Sequence, residues 1–145
     1  MTDATKGLSG PLAIGVDQES VPVSATGRPE CASCKKALPW LVDAGDDDLV
    51  AALNTGQLVL VDLWAPWCGP CRMVAPVLER LAVRYAGRVK VVKVNVDDNP
   101  HSAARFDAQS IPTRAMVRKG VTVGRIIGAQ TETVLSRRID ALLAG

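Results

Sequence analysis

The stretch Leu58-Val59-Leu60-Val61-Asp62-Leu63-Trp64-Ala65-Pro66-Trp67-Cys68-Gly69-Pro70-Cys71 decides how this chain folds. Its first seven residues form a nearly continuous apolar run, which predicts a strand buried on both faces. Beyond it, Met73, Val74, Val77, Leu78, Leu81, Ala82 and Tyr85 recur at helical spacing. That predicts a helix over 72–85 with its apolar stripe facing a sheet, kinked where Pro76 removes a backbone donor. A strand that delivers a Cys-x-x-Cys pair to the start of a helix is a redox arrangement. The helix N-terminus gathers unpaired N–H groups and the positive end of the macrodipole, which stabilise a thiolate at Cys68. Gly69 leaves room for an incoming substrate, and Pro70 fixes the first turn where a missing N–H costs nothing.

Working outward, Trp40-Leu41-Val42 reads as a short strand, and Asp46 or Asp47 as the cap of a helix running to about Asn54. A second buried strand is predicted over 89–96. Asn99-Pro100 supplies an N-cap and a first-turn proline for a short helix to about Asp107. Strands over 113–118 and 121–127 meet at Lys119-Gly120, a hairpin signal, and a helix over 131–143 closes the chain. Strands alternating with helices imply a parallel core, to which the late hairpin adds antiparallel strands. The fold class is α/β, a mixed central sheet with helices on both faces. Residues 1–38 read as a flexible extension carrying a Cys31-Ala32-Ser33-Cys34 knuckle, and 39–145 as the folded domain.

The 145 residues suit one domain with a real core. A hydrophobic content of 48% and a charged content of 22% describe a soluble globular protein. A net charge of +2 is too small to argue for nucleic acid or a membrane surface. The run Leu12-Ala13-Ile14-Gly15-Val16 is too short for a signal-peptide core, and nothing approaches a membrane span. The expected compartment is cytoplasmic. There, four cysteines are better read as redox-active or metal-binding than as a disulfide framework.

At this point the chain resembles the thioredoxin family. The resemblance covers about residue 39 to the C-terminus and rests on separated signatures in order: Asp62, Trp64, Trp67-Cys68-Gly69-Pro70-Cys71, Pro76, Lys93, Ile111-Pro112-Thr113 and Gly128. Cys31-x-x-Cys34 is similar to part of the zinc-binding extension of the thioredoxin 2 subgroup, which carries two such pairs where this chain has one.

The resemblance implies a protein-disulfide reductase recharged by a thioredoxin reductase, carrying its own redox dithiol and needing no bound organic cofactor. Cys68 is expected to attack from the solvent-facing end of the helix, and the shielded Cys71 to resolve the mixed disulfide. Asp62, a carboxylate in an apolar strand, should have a raised pKa and exchange protons with Cys71. Lys93 would tune that charge. Ile111-Pro112 would form a cis bend whose backbone pairs with an extended substrate strand, between walls supplied by Trp67 and Gly128. Trp64 is expected to pack rather than to touch substrate. The implied partners are disulfide-containing proteins and the reductase, the chain acting as a monomer.

Arg114 departs from the family pattern. Alternation along the strands sets it on the same layer as Asp62. There it would pair with Asp62, lowering its pKa and weakening it as a proton acceptor; the alternative is that it snorkels to solvent. For Cys31 and Cys34, zinc would need four ligands, and the only histidine, His101, lies far away in sequence. A four-thiolate site shared by two chains, a disulfide and an idle pair stay open. Three other functions also stay open: a thioredoxin-fold binding module, an oxidase or isomerase, and a zinc-regulated redox protein.

Overall fold

A computed structural model describes residues 38–144; Cys31 and Cys34 lie outside them. Five strands and four helices follow in the order β1 (Leu41–Asp43), α1 (Leu49–Leu53), β2 (Leu58–Trp64), α2 (Gly69–Arg84), β3 (Val89–Asn95), α3 (Pro100–Arg105), β4 (Thr113–Arg118), β5 (Val121–Ile127) and α4 (Glu132–Ala144). The strands form one mixed sheet in the order β1-β3-β2-β4-β5. β1, β3 and β2 run parallel, while β4 is antiparallel to β2 and β5 to β4. The β4–β5 turn takes positive φ at Lys119 and Gly120, which suits a tight hairpin.

Alternation along β2 sorts its side chains between two cores. Val59, Val61 and Leu63 pack with Trp40, Val92, Val94, Val117 and the buried residues of α1. Leu58 and Leu60 pack with Val91, Met116, Val74, Leu78 and Leu81 of α2, and Leu135 and Ile139 of α4. A strand with apolar residues on both faces therefore sits at the middle of a three-layer stack. Each fully buried aliphatic side chain stabilises that stack by about 1.5–3 kcal/mol.

Several local expectations are corrected by packing. α2 begins at Gly69, because Cys68 caps it: its Sγ accepts the Cys71 N–H at 3.1 Å, and proline occupies the first turn. The helix continues through Pro76 to Arg84. Met73 is 73% exposed rather than part of the core stripe, and Val77 is only partly buried. α1 starts late, with Asp48 as N-cap, and ends at Leu53. Asp46 serves a different helix: its carboxylate accepts the backbone N–H groups of His101 and Ser102 in the first turn of α3. Asn99 caps nothing through its side chain, because its Oδ1 accepts the Asp46 N–H at 2.8 Å instead. These two residues lock the β1–α1 loop to the start of α3.

Candidate active site

The sheet register gathers the site's charges. Asp62 lies opposite Lys93 on β3 and opposite Arg114 on β4, and Lys93 lies opposite Asp43 on β1. Residues paired in register share a face, so Asp43, Lys93, Asp62 and Arg114 form one row of alternating sign across four strands. It continues the face of Leu41, Leu60, Val91 and Met116, which α2 and α4 cover.

Asp62 is 3% exposed, and its buried Oδ1 has no hydrogen-bond partner among the described residues. Burial pushes the carboxyl up to about 6, against the opposing pull of Arg114 and then Lys93. Removing a carboxylate from water disfavours its charged form, and two nearby cations recover only part of that cost. Asp43 shifts the same way, raised by burial and partly restrained by Lys93. Lys93 itself is half-buried, its Nζ 5.0 Å from the centre of the Trp64 ring. Both residues line a cleft of about 510 Å³ with Asp43, Asn95 and Asn99. Trp64 is thus partly buried packing for Lys93.

At the end of β2 the chain turns into α2 and brings Cys68 and Cys71 together as a disulfide, Cα atoms 5.2 Å apart. Both cysteines are buried, 3% and 5% exposed, against Ala65, with Trp64, Val96 and Ile111 beside them. An openly exposed Cys68 is therefore not what the fold presents. What separates the two sulfurs is position on the helix: Cys68 is the N-cap and receives the Cys71 N–H, whereas Cys71 lies inside the first turn.

Around the pair, Trp67 is 66% exposed, and its ring N–H donates to the Asp97 carboxylate at 3.0 Å. Gly69 and Pro70 are exposed, and a Cβ built at Gly69 meets nothing within 4 Å. The Ile111–Pro112 peptide is cis. Pro112 O accepts the Gly128 N–H at 2.8 Å, which ties the cis-proline loop to the residue that follows β5. Gly128 takes φ +90°, a backbone conformation that favours glycine. No backbone hydrogen bond to Ile111 forms among the described residues.

Strand delivery of the dithiol to a helix N-cap, a cis-proline wall and a buried carboxylate under the same helix now stand together. A family model described as Thioredoxin matches residues 42–141. The chain belongs to the thioredoxin family. It is 51% identical over 88 residues to Thioredoxin 1 of a Nostoc species, covering 61% of this chain and 82% of that protein. It is 44% identical over 107 residues to a thioredoxin of a Synechocystis species, covering 74% and 98%. Thioredoxin M5, chloroplastic, of rice is 50% identical over 122 residues, covering 82% of this chain and 69% of its own. Thioredoxins are thiol–disulfide oxidoreductases, and this chain is a protein-disulfide reductase of that family.

Sequence reading missed two features of the site. The Trp67–Asp97 hydrogen bond spans 30 residues and has no local signal. The second is the Arg114 contact: its Nη2 donates to the Gly128 carbonyl. Arg114 is 0% exposed, so it does not snorkel to solvent. Among the described residues no ion pair within 4 Å joins it to Asp62, although its charge acts on that carboxyl.

Proposed function

We propose that reduction proceeds by attack of the Cys68 thiolate on a protein disulfide docked along Ile111 and Pro112, with Cys71 resolving and Asp62 accepting the Cys71 proton. The observation that carries this reading is the Cys71 N–H pointing at Cys68 Sγ from the first turn of α2. The same donor and the helix N-terminus stabilise negative charge on that sulfur once the disulfide is reduced.

In the first step a Cys68–substrate S–S bond forms as the substrate S–S bond breaks, releasing one substrate thiolate. Cys71 then passes its proton to Asp62, and its thiolate attacks Cys68 Sγ. The Cys68–Cys71 disulfide forms, and the second substrate sulfur leaves as a thiolate. Two electrons move from the dithiol to the substrate, and the released thiolates take up the protons. A thioredoxin reductase returns two electrons to close the cycle. Lys93 limits the charge cost at Asp62, Trp67 and Gly128 wall the groove, and Gly69 and Pro70 keep its floor low.

The dithiol is the redox group, so the cycle needs no bound organic cofactor. We assign a cytoplasmic monomer; among the described residues no helix is long and apolar enough to cross a membrane. For Cys31 and Cys34 we propose a thiol pair outside this chemistry. Metal content measured on the wild type and on Cys31→Ser tests that assignment.

Insulin reduction driven by dithiothreitol, and separately by NADPH with a thioredoxin reductase, tests the reading. Wild type is expected to turn over in both assays and Cys68→Ser in neither. Turnover undiminished in Cys68→Ser would overturn it.

A further inference from the structure

Arg114 is a buried charge that the reaction above does not use, and unlike Lys90, whose Nζ donates to Ala52 O, it lies in register with Asp62. It lies on β4 opposite Asp62, and its other register partner, Ile126 on β5, is apolar. Nη2 is engaged by the Gly128 carbonyl, while Nε and Nη1 are buried without a hydrogen-bond partner among the described residues. A guanidinium carries five N–H donors in a fixed fork. Burying it with two nitrogens unmatched costs free energy that an aliphatic side chain would not. Packing alone therefore gives no reason for arginine at this position.

Its two neighbours give a reason. Its Nη2 reaches the carbonyl of Gly128, the residue whose N–H is held by Pro112 O. On the sheet the residue lies opposite Asp62, the proposed proton acceptor, and its charge acts on that carboxyl. The charged groups in register with Asp62 are Lys93 from β3 and Arg114 from β4, and these are the two charges that act on its carboxyl; no charged group of α2 or α4, the helices over this face, adds to them. Lys93 is shared, because Asp43 lies on its other side. Arg114 has no second carboxylate in register and serves Asp62 alone.

Resting on the disulfide-reductase reading, we propose that Arg114 is a positioning residue that links the substrate groove to the proton acceptor: clamped on the Gly128 wall, its fixed charge sets the pH range in which Asp62 can serve Cys71. An opposite charge beside a carboxylate favours its ionised form, and burial at Asp62 already outweighs the two cations it has. Removing one of them raises the carboxyl further and leaves a larger share of it protonated at neutral pH. The arginine thus keeps the acceptor open rather than simply weakening it.

The test is a carbon-13 NMR titration of the Asp62 carboxyl in the oxidised full-length protein, where neither active-site thiol titrates. The wild-type midpoint is expected at about 6, and Arg114→Leu is expected to raise it by about one pH unit or more. Arg114→Lys, which keeps the charge without the fork, should fall between them. The acid limb of insulin reduction should move with the midpoint, and Arg114→Leu should not move it in an Asp62→Asn background. A merely structural arginine would lower the melting temperature and leave the midpoint in place. An unmoved Asp62 midpoint in cooperatively folded Arg114→Leu overturns the proposal; should that variant fail to fold, Arg114→Met and Arg114→Lys carry the same comparison. Absence of insulin reduction by wild type would instead count against the reductase reading, with the titration still deciding the role of Arg114.

Discussion

Asp62 couples stability to pH through one proton, the same proton that the proposed cycle uses. In the unfolded chain the carboxyl releases that proton near the ordinary value of about 3.9, whereas the folded protein holds it to about 6. Between those values the folded state binds more protons, so stability is greatest below pH 4, falls as pH rises through the window, and levels off above it. The loss corresponds to about 2–3 kcal/mol. Asp62→Asn is therefore expected to be more stable than wild type at pH 8 by up to that amount, and no more stable at pH 4. The gain is trimmed because Arg114 loses its counter-charge. Denaturant unfolding of both proteins at the two pH values checks this, and an equal gap at both would contradict it. The same residue shows what a sequence can disclose. A carboxylate in an apolar run already signals a shifted group, but its two charged neighbours come from strands 31 and 52 positions away and are fixed only by the register.

At the scale of elements, β2 was legible because it is central and apolar on both faces: 58–64 is read directly from the run and is what forms. Helix starts were less legible, because caps depend on distant partners. Asp46 reads as the cap of the following helix, yet its carboxylate binds the first turn of α3, 55 and 56 residues onward. Met73 fits the helical stripe of α2 but is not packed into the core that Val74, Leu78 and Leu81 build, and faces solvent. The lock between the β1–α1 loop and α3 carries its own prediction. A Cβ at Gly45 would sit 2.2 Å from Asn99 Oδ1, and Asn99 cannot swing away without losing its bonds to Asp46 N and Asn95 O. Gly45→Ala is expected to destabilise the fold by about 1–3 kcal/mol while leaving the pH profile of insulin reduction unchanged. An unaltered unfolding midpoint would show that the loop relaxes freely.

For the whole molecule, the sheet order β1-β3-β2-β4-β5 places β2 between the two strands that supply its cations. It also brings the cis Ile111–Pro112 loop beside the dithiol, with Ile111 against the cysteine cluster. None of these neighbours is adjacent in sequence, so the parts were legible and their spacing was not. In the proposed cycle the labour is divided: α2 activates one sulfur, β2 holds the proton acceptor, and β4 ties that acceptor to the groove wall. The central claim is that Cys68 attacks and Cys71 resolves. The most direct measurement is intact-mass spectrometry of reduced Cys71→Ser mixed with a disulfide-linked peptide. A stable adduct of one peptide half, mapped to Cys68 and absent under the same conditions from Cys68→Ser, is the expected result. Failure of folded Cys71→Ser to trap an adduct, or equal trapping by Cys68→Ser through Cys71, would contradict the account.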